Sequence, residues 1–405
     1  MHCRNCNNKL KDIFLDLGKC PPSNSLIKNN SEKKKEKTFE LITYICKKCW
    51  LVQTKDVVNK KIFFNNHYPY FSSTSSSWVQ HAKSYVYKIC RDLKINKNKL
   101  VFEIASNDGY LLQFFKEKKI PCLGIEPSIN TSRLAKKRGI KSIDEFFSYS
   151  LAKKFKNKAD LIIGNNVYAH VPNLNDFTKG MKTLLKKNGT ITLEFPHLLN
   201  LIKFSQFDTI YHEHFSYFSL LTVKKIFKKY KLKVFHVEKL NTHGGSLRIY
   251  GCHVNDARSE KNSVKKIIKE EKKFGLNKIN TLKKFELNVF RIKKQIEKFV
   301  SNAKEQKKIV HAYGAAAKGS TILNYLKMSN KDIRYVYDAA KSKINKMLPG
   351  SHIKILSPSE IKKRKPDYII IFPWNIKEEI IKNFKFVKKW GGKFVTFIPK
   401  TKVQN

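Results

Sequence analysis

Residues 100–112 read L-V-F-E-I-A-S-N-D-G-Y-L-L. An apolar strand with Glu103, a turn of small residues through Ala105, Ser106, Asp108 and Gly109, and then a helix predict the opening of a nucleotide-binding βαβ unit. The turn lets a ligand approach backbone N–H groups at a helix N-terminus. A second strand usually delivers a ribose-binding acid about 20 residues on, and here C-L-G-I-E-P ends in Glu126 and Pro127. Ala105 and Asn107 stand where glycines are usual, so a full G-x-G-x-x-G is absent. That argues against a pyrophosphate-bearing dinucleotide and suits S-adenosylmethionine, which has ribose hydroxyls but no phosphate.

Further strands follow at 159–166 and near 190–195. Ligands in such sheets sit beyond the C-terminal strand ends, which places Asn165, Asn166 and His170 at the site, with Glu194 and His197 close behind. In T-H-G-G-S-L-R, His243, Gly244 and Gly245 form a turn able to approach an anion beside Arg248, or a plain hairpin. Upstream, H-Y-P-Y-F-S-S-T-S-S-S-W offers Tyr70, Ser72 and Ser73 as a polar lid, or a surface loop, before a helix near Ser76.

At 405 residues the chain is long enough for two to three domains, and 41% hydrophobic content suffices to build their cores. The expected division is a zinc-binding unit at 1–60, a methyl-donor unit at 61–254, a helical connector at 255–308 and a smaller α/β unit at 309–405. The connector is expected to be one amphipathic helix, because Leu282, Phe285, Val289, Ile292, Ile296 and Phe299 recur at helical spacing. No apolar run approaches the roughly 18 residues of a membrane span, and no signal peptide is visible, so a cytoplasmic location is expected. The net charge of +50 is spread through nearly every segment. Compositional bias and an anionic substrate explain that better than nucleic-acid binding, which concentrates charge on one face.

Four of the eight cysteines form two C-x-x-C pairs, Cys3 with Cys6 and Cys46 with Cys49. Two such knuckles complete a four-thiolate zinc shell with no open position, so the metal is expected to be structural. In the last segment, Y-G-A-A-A-K-G-S places Lys318 and Ser320 where a helix N-terminus meets phosphate. F-P-W-N supplies Trp374 and Asn375.

The remaining motif is I-Y-H-E-H-F-S-Y-F-S at 210–219. Tyr211, His212, Glu213 and His214 lie side by side between apolar neighbours, a combination suited to moving a proton near neutral pH. Taken in order, these motifs resemble the three-domain sugar C-methyltransferases that act on nucleotide-linked keto-deoxysugars, and the resemblance runs along essentially the whole chain. It implies an N-terminal zinc domain, a central class I methyltransferase domain of Rossmann-like α/β fold, and a smaller C-terminal Rossmann-like domain that helps hold the substrate. It also implies His214 as the base, with Tyr211, Glu213, His170 and Tyr70 around the sugar. Ala105 departs from the glycine usual in that family, and its methyl group would crowd the donor. Two rivals are a nucleic-acid base methyltransferase and a non-catalytic sugar-nucleotide-binding protein. The first lacks an Asp/Asn-Pro-Pro-aromatic motif after the strand at 159–166; the second has only Ala105 in its favour.

Overall fold

The computed structural model describes residues 1–55 and 70–404. The expected boundary at 60/61 and the start of the H-Y-P-Y stretch at 67–69 lie outside the described residues. In the first unit, β1 (Asp12–Cys20), β2 (Phe39–Ile45) and β3 (Val52–Thr54) form an antiparallel sheet. The central sheet begins with β4 (Val101–Ile104), β5 (Cys122–Ile125), β6 (Ser142–Ile143), β7 (Ala159–Asn165) and β8 (Leu185–Pro196). Next comes β9 (Ser216–Tyr217), which leaves the central unit and pairs with β3 as the fourth strand of the first sheet. Returning, β10 (Leu232–Leu240) and β11 (Ser246–His253) complete seven strands in the order β10-β11-β8-β7-β4-β5-β6. All are parallel except β11, which runs against both neighbours. The inner strands β4 and β7 are almost wholly buried, as a parallel sheet covered on both faces requires.

The third sheet takes β12 (Val310–Tyr313), β13 (Val336–Tyr337), β14 (Ile355–Leu356), β15 (Tyr368–Ile371), β16 (Lys393–Thr396) and β17 (Lys402–Gln404) in the order β14-β13-β12-β15-β16-β17. Only β17 is antiparallel. Strand order reverses between β4 and β7 in one sheet and between β12 and β15 in the other, so each sheet opens a crevice at its C-terminal edge there.

The connector is two helices, Asn262–Phe274 and Ile279–Glu305. Gly275 separates them at φ +91°, a left-handed C-terminal cap that a side-chain-bearing residue adopts only with strain. The apolar stripe of the second helix is its buried face: Phe285 stacks on Phe14 of β1 at 4.8 Å, and the same core runs on to Val310, Ala312 and Val395 of the third sheet. The first helix carries Glu271, fully buried, whose carboxylate accepts the N–H groups of Leu220 (2.6 Å) and Leu221 (2.8 Å). These open the helix Leu220–Lys229, an end where an anion is favoured. Glu271 also lies 2.7 Å from His197 Nε2. His197, expected to touch substrate, is thus corrected to a packing role: it is 1% exposed and held by a carboxylate from the connector.

Removing Glu271 strands two amide donors and an imidazole. Glu271→Ala should therefore lose about 2–4 kcal/mol of stability in urea unfolding, since each buried donor left without its acceptor costs about 1–3 kcal/mol. A loss below about 1 kcal/mol would show that the contact holds nothing.

Candidate functional site

Cys3, Cys6, Cys46 and Cys49 bring their sulfur atoms within 4.8 Å of one another, with Cys3–Cys49 at 3.5 Å and Cys6–Cys46 at 3.4 Å. A tetrahedral shell with Zn–S bonds of about 2.3 Å puts its sulfurs slightly under 4 Å apart, so the cluster fits that ion with every position taken by protein. Three residues after Cys49, β3 begins and pairs with β9, Val52 opposite Tyr217 and Gln53 opposite Ser216. Thr54 donates its N–H to the carbonyl of Phe215 and its hydroxyl to that of His214. The metal knuckle and the Y-H-E-H turn are thus tied through one strand pairing.

Within the turn, His214 Nδ1 lies 2.9 Å from the carbonyl of Thr209, and its Nε2 2.7 Å from the hydroxyl of Tyr211. A carbonyl only accepts, so Nδ1 carries the proton and Nε2 accepts from Tyr211. Burial, reinforced by His170, holds His214 well below the ordinary histidine range, so it is neutral at pH 7. His170 donates from Nδ1 to the carbonyl of Glu213 at 2.8 Å and meets His214 edge to face at 4.6 Å. Burial pushes it down to about 4, against that hydrogen bond. The Glu213 carboxylate turns toward the N-terminal unit, where both oxygens accept from Asn24 Nδ2 (2.9 and 2.8 Å). Burial raises it to about 7, with Asn24 opposing. Glu213 therefore anchors the turn from behind.

At the donor turn, Glu126 accepts the N–H groups of Asn107 (2.9 Å) and Ser128 (2.8 Å), which fix its carboxylate beside the strand end before Pro127. Ala105, Asn107 and Gly109 all have positive φ, +59°, +50° and +77°. Ser72 donates its N–H to Asn107 Oδ1, Asn107 Nδ2 donates to the carbonyl of Tyr70, and Ser73 bonds to Asp108. Residues 70–75 are thus a strap fastened over the turn, and Tyr70, 47% exposed, is anchored there. Asp108 serves this strap through Ser73 and Arg138. Glu103 is buried with one oxygen unpartnered, and burial followed by Glu126 and Asp108 raises it well above the carboxylate range. Ser106 Oγ and both amide atoms of Asn165 are likewise buried without partners, a polar lining that suits the donor.

Across the cleft, Asn166 Nδ2 donates to His243 Nε2 at 3.1 Å, and Trp78 meets His243 edge-on at 5.2 Å. The glycine turn is tightly packed. A Cβ on Gly244 would strike the Trp374 ring (2.3 Å), and one on Gly245 would strike Asn200 (2.1 Å), so both glycines exist for close packing. Arg248 is also corrected: it is 3% exposed and spent on Glu194 (2.9 Å) and Glu238 (3.4 Å). Burial opposes it, but His81 and Arg248 hold Glu194 down to about 2. Ser320 is buried and donates to the carbonyl of Ser23 at 3.2 Å. Lys318 does reach the cleft, donating to Asn375 Oδ1 at 2.7 Å with its ammonium 4.1 Å from the centre of the Trp374 ring. Trp374 Nε1 donates to Asp208 Oδ2 at 2.7 Å.

Three family models divide the chain: a zinc binding domain over residues 3–64, a methyltransferase domain over 81–237 and a C-methyltransferase C-terminal domain over 241–399. Over 407 aligned residues, 99% of this chain and 96% of the relative, the sequence is 31% identical to C-methyltransferase NovU of Streptomyces niveus. The chain belongs to the C-methyltransferase family. This C-methyltransferase uses S-adenosylmethionine, and its four-cysteine cluster lies within the zinc binding domain. Solved structures similar to part of the C-methyltransferase include magnesium protoporphyrin IX methyltransferase of Synechocystis with bound SAM (13% identity, 43% of this chain and 79% of that chain, TM-score 0.35). Another is the PH0226 protein of Pyrococcus horikoshii (16% identity, 45% and 94%, TM-score 0.38). Among the described residues, no helix of the C-methyltransferase is long and apolar enough to cross a membrane.

Sequence reasoning passed over Asp208, Asn24, Gln206 and Trp78. Asp208 left a signal, an acid within the apolar run F-D-T-I just before the Y-H-E-H turn. Asn24 left none, because its partner is 189 residues away.

Two measurements follow from the site. Metal analysis should find about one zinc per chain, with Cys46→Ser losing both zinc and fold; a metal-free wild-type protein of normal stability would overturn the assignment. Ala105→Gly removes a Cβ from a left-handed conformation, so thermal unfolding should show a gain of about 1 kcal/mol. An unchanged or lower midpoint would mean the strain is already relaxed.

Proposed function

We propose that this enzyme methylates the carbon next to the keto group of a nucleotide-linked keto-deoxysugar through a base-generated enolate. One observation carries the reading: a buried, neutral His214 whose Nδ1 is pinned by the Thr209 carbonyl and whose Nε2 lone pair accepts from the hydroxyl of Tyr211, a half-buried residue. Carbon methylation needs a carbon nucleophile, and a C–H next to a ketone becomes one only when a base removes its proton. Nothing else in the turn matches His214 for that work. His212 points toward the carbonyl of Phe39 at 3.3 Å, and Glu213 is turned to Asn24.

In this reading the proton leaves the sugar toward the Tyr211 hydroxyl, whose own proton passes to His214 Nε2. Thr209 then holds the imidazolium by its Nδ1–H, and His170 walls the other side. Glu126, held by two backbone amides, takes the ribose hydroxyls in this reading, and Asn165, whose amide has no hydrogen-bond partner, takes the polar end of the donor. S-adenosylmethionine, when bound, supplies an electrophilic methyl group. The strap over the donor turn and the buried histidines keep water away, so that orientation of the two reactants contributes much of the rate. The family relationship supports the substrate class only at the level of C-methylation; the sugar nucleotide rests on the motif resemblance and on a cleft built between two α/β units.

His214→Ala should retain binding of both ligands while methyl transfer falls by about 10²–10⁴, the usual worth of a positioned base. Deuterium exchange at the carbon next to the keto group should fall with it. Full exchange in that variant would sink His214 as the base and move the role to His170 or Tyr211.

A further inference from the structure

Among the described residues, the half-buried side chains of the central unit gathered here are His170, Tyr211 and His243, hydrogen-bonded to the Glu213 carbonyl, to His214 and to Asn166. Arg248, the nearest candidate by sequence, is consumed by two carboxylates. An enolate needs positive charge aimed at the oxygen where negative charge develops, and such preorganised charge is commonly the largest single contribution to a rate.

The C-terminal unit brings one. Its helix Ala317–Tyr325 is docked on the catalytic turn, with the Thr321 hydroxyl donating to the carbonyl of Ile210 at 3.0 Å, one residue before Tyr211. One turn earlier in that helix, Lys318 emerges half-buried at the switch point between β12 and β15. Its ammonium is positioned by Asn375 and by the face of Trp374. Trp374 in turn is fixed by Asp208 on one side and by Gly244 on the other, where the absent Cβ makes room for the ring. Gln206 donates to the carbonyl of Gly244 at 2.9 Å and holds that turn in place. Among the described residues Lys318 forms no ion pair; burial lowers its pKa, and the charge of Asp208 opposes that. Asp208 Oδ1 is buried without a hydrogen-bond partner. Trp374, on whose face the lysine sits, abuts Gly244 directly after His243, and the lysine's own helix bonds to Ile210, four residues before His214.

We infer that Lys318 is a catalytic residue that stabilises the enolate oxygen of the sugar, with Asp208, Trp374 and Asn375 as the positioning residues that carry it from the C-terminal unit into the cleft. This rests on the enolate reading above and adds the group that holds the negative charge. The step balances without a further reactant. The C–H bond breaks, its proton passes to His214 through Tyr211, and its electron pair forms the enolate C=C as the carbonyl oxygen becomes O⁻ against Lys318. The enolate carbon then takes the donor methyl, the S–CH₃ bond breaks toward sulfur, and the C=O re-forms. A sugar nucleotide carries a second anion, its diphosphate, which a lysine could equally hold. The shared neighbourhood with His214 and His243 favours the enolate.

The full-length zinc-loaded protein, with S-adenosylhomocysteine bound and a thymidine diphosphate 4-keto-6-deoxyhexose as probe, separates the two. Lys318→Met should lower the saturated rate of deuterium exchange next to the keto group by about 10²–10³, the loss typical of one oxyanion donor. Probe affinity by calorimetry should stay within threefold. Lys318→Arg should recover part of the exchange, and Trp374→Phe, which loses the Asp208 bond, should fall between. An affinity loss of tenfold or more with the saturated exchange rate unchanged would put the lysine on the diphosphate and overturn the assignment. So would unchanged exchange and affinity together. Absence of exchange in the wild type across a panel of nucleotide keto-sugars would instead overturn the enolate reading, and the role of Lys318 with it.

Discussion

The short pairing of Val52–Thr54 with Ser216–Tyr217 carries more of this protein than its length suggests. A β-ladder of two residue pairs is marginal on its own. Here it is held on one side by a four-sulfur cluster three residues upstream and on the other by the buried Y-H-E-H turn. The hydroxyl of Thr54 donates to the His214 carbonyl, so the backbone of the proposed base is a hydrogen-bonded extension of the zinc unit. Thr222 repeats the link from the other direction by donating to the carbonyl of Cys49. The four-cysteine cluster and the histidine are thus joined by backbone hydrogen bonds.

The same logic governs the other wall. The apolar face of Ile279–Glu305 lies between the first and third sheets, and one continuous core joins Phe14 to Val395 through Phe285 and Val289. The cleft is consequently framed by two units that are themselves fixed to each other. That is the support a site needs when its reacting groups must stay within a fraction of an ångström of their positions.

Much of this was legible in the chain because local chemistry determined it. The strand, turn and helix at 100–112 follow from an apolar run meeting small residues, and the four cysteines announce their ion by spacing. The amphipathic stripe of Leu282, Phe285, Val289, Ile292 and Ile296 identified a helix, while Gly275, which divides the connector, was the overlooked breaker. What failed were side chains whose partners lie far along the sequence. Arg248 and His197 read as free polar groups until Glu194, Glu238 and Glu271 were placed against them. The packing of Gly244 against Trp374 and of Gly245 against Asn200 likewise cannot be inferred from the turn itself. Burial of a charged or polar group is a tertiary fact, and pattern reading has no access to it.

The hydrogen bonds that close the site span 189 residues from Asn24 to Glu213, 166 from Asp208 to Trp374 and 111 from Ile210 to Thr321. Loop-closure entropy grows only with the logarithm of length, so the longest of these costs roughly half a kcal/mol more than the shortest. Equilibrium stability is thus almost indifferent to drawing the site from both ends of the chain. The rate of folding is not, because a high share of contacts between distant parts of the chain slows it. The site's slowest requirement is therefore the meeting of three parts of the chain: Asn24 at one end, the Y-H-E-H turn in the middle, and Thr321 with Trp374 at the other end.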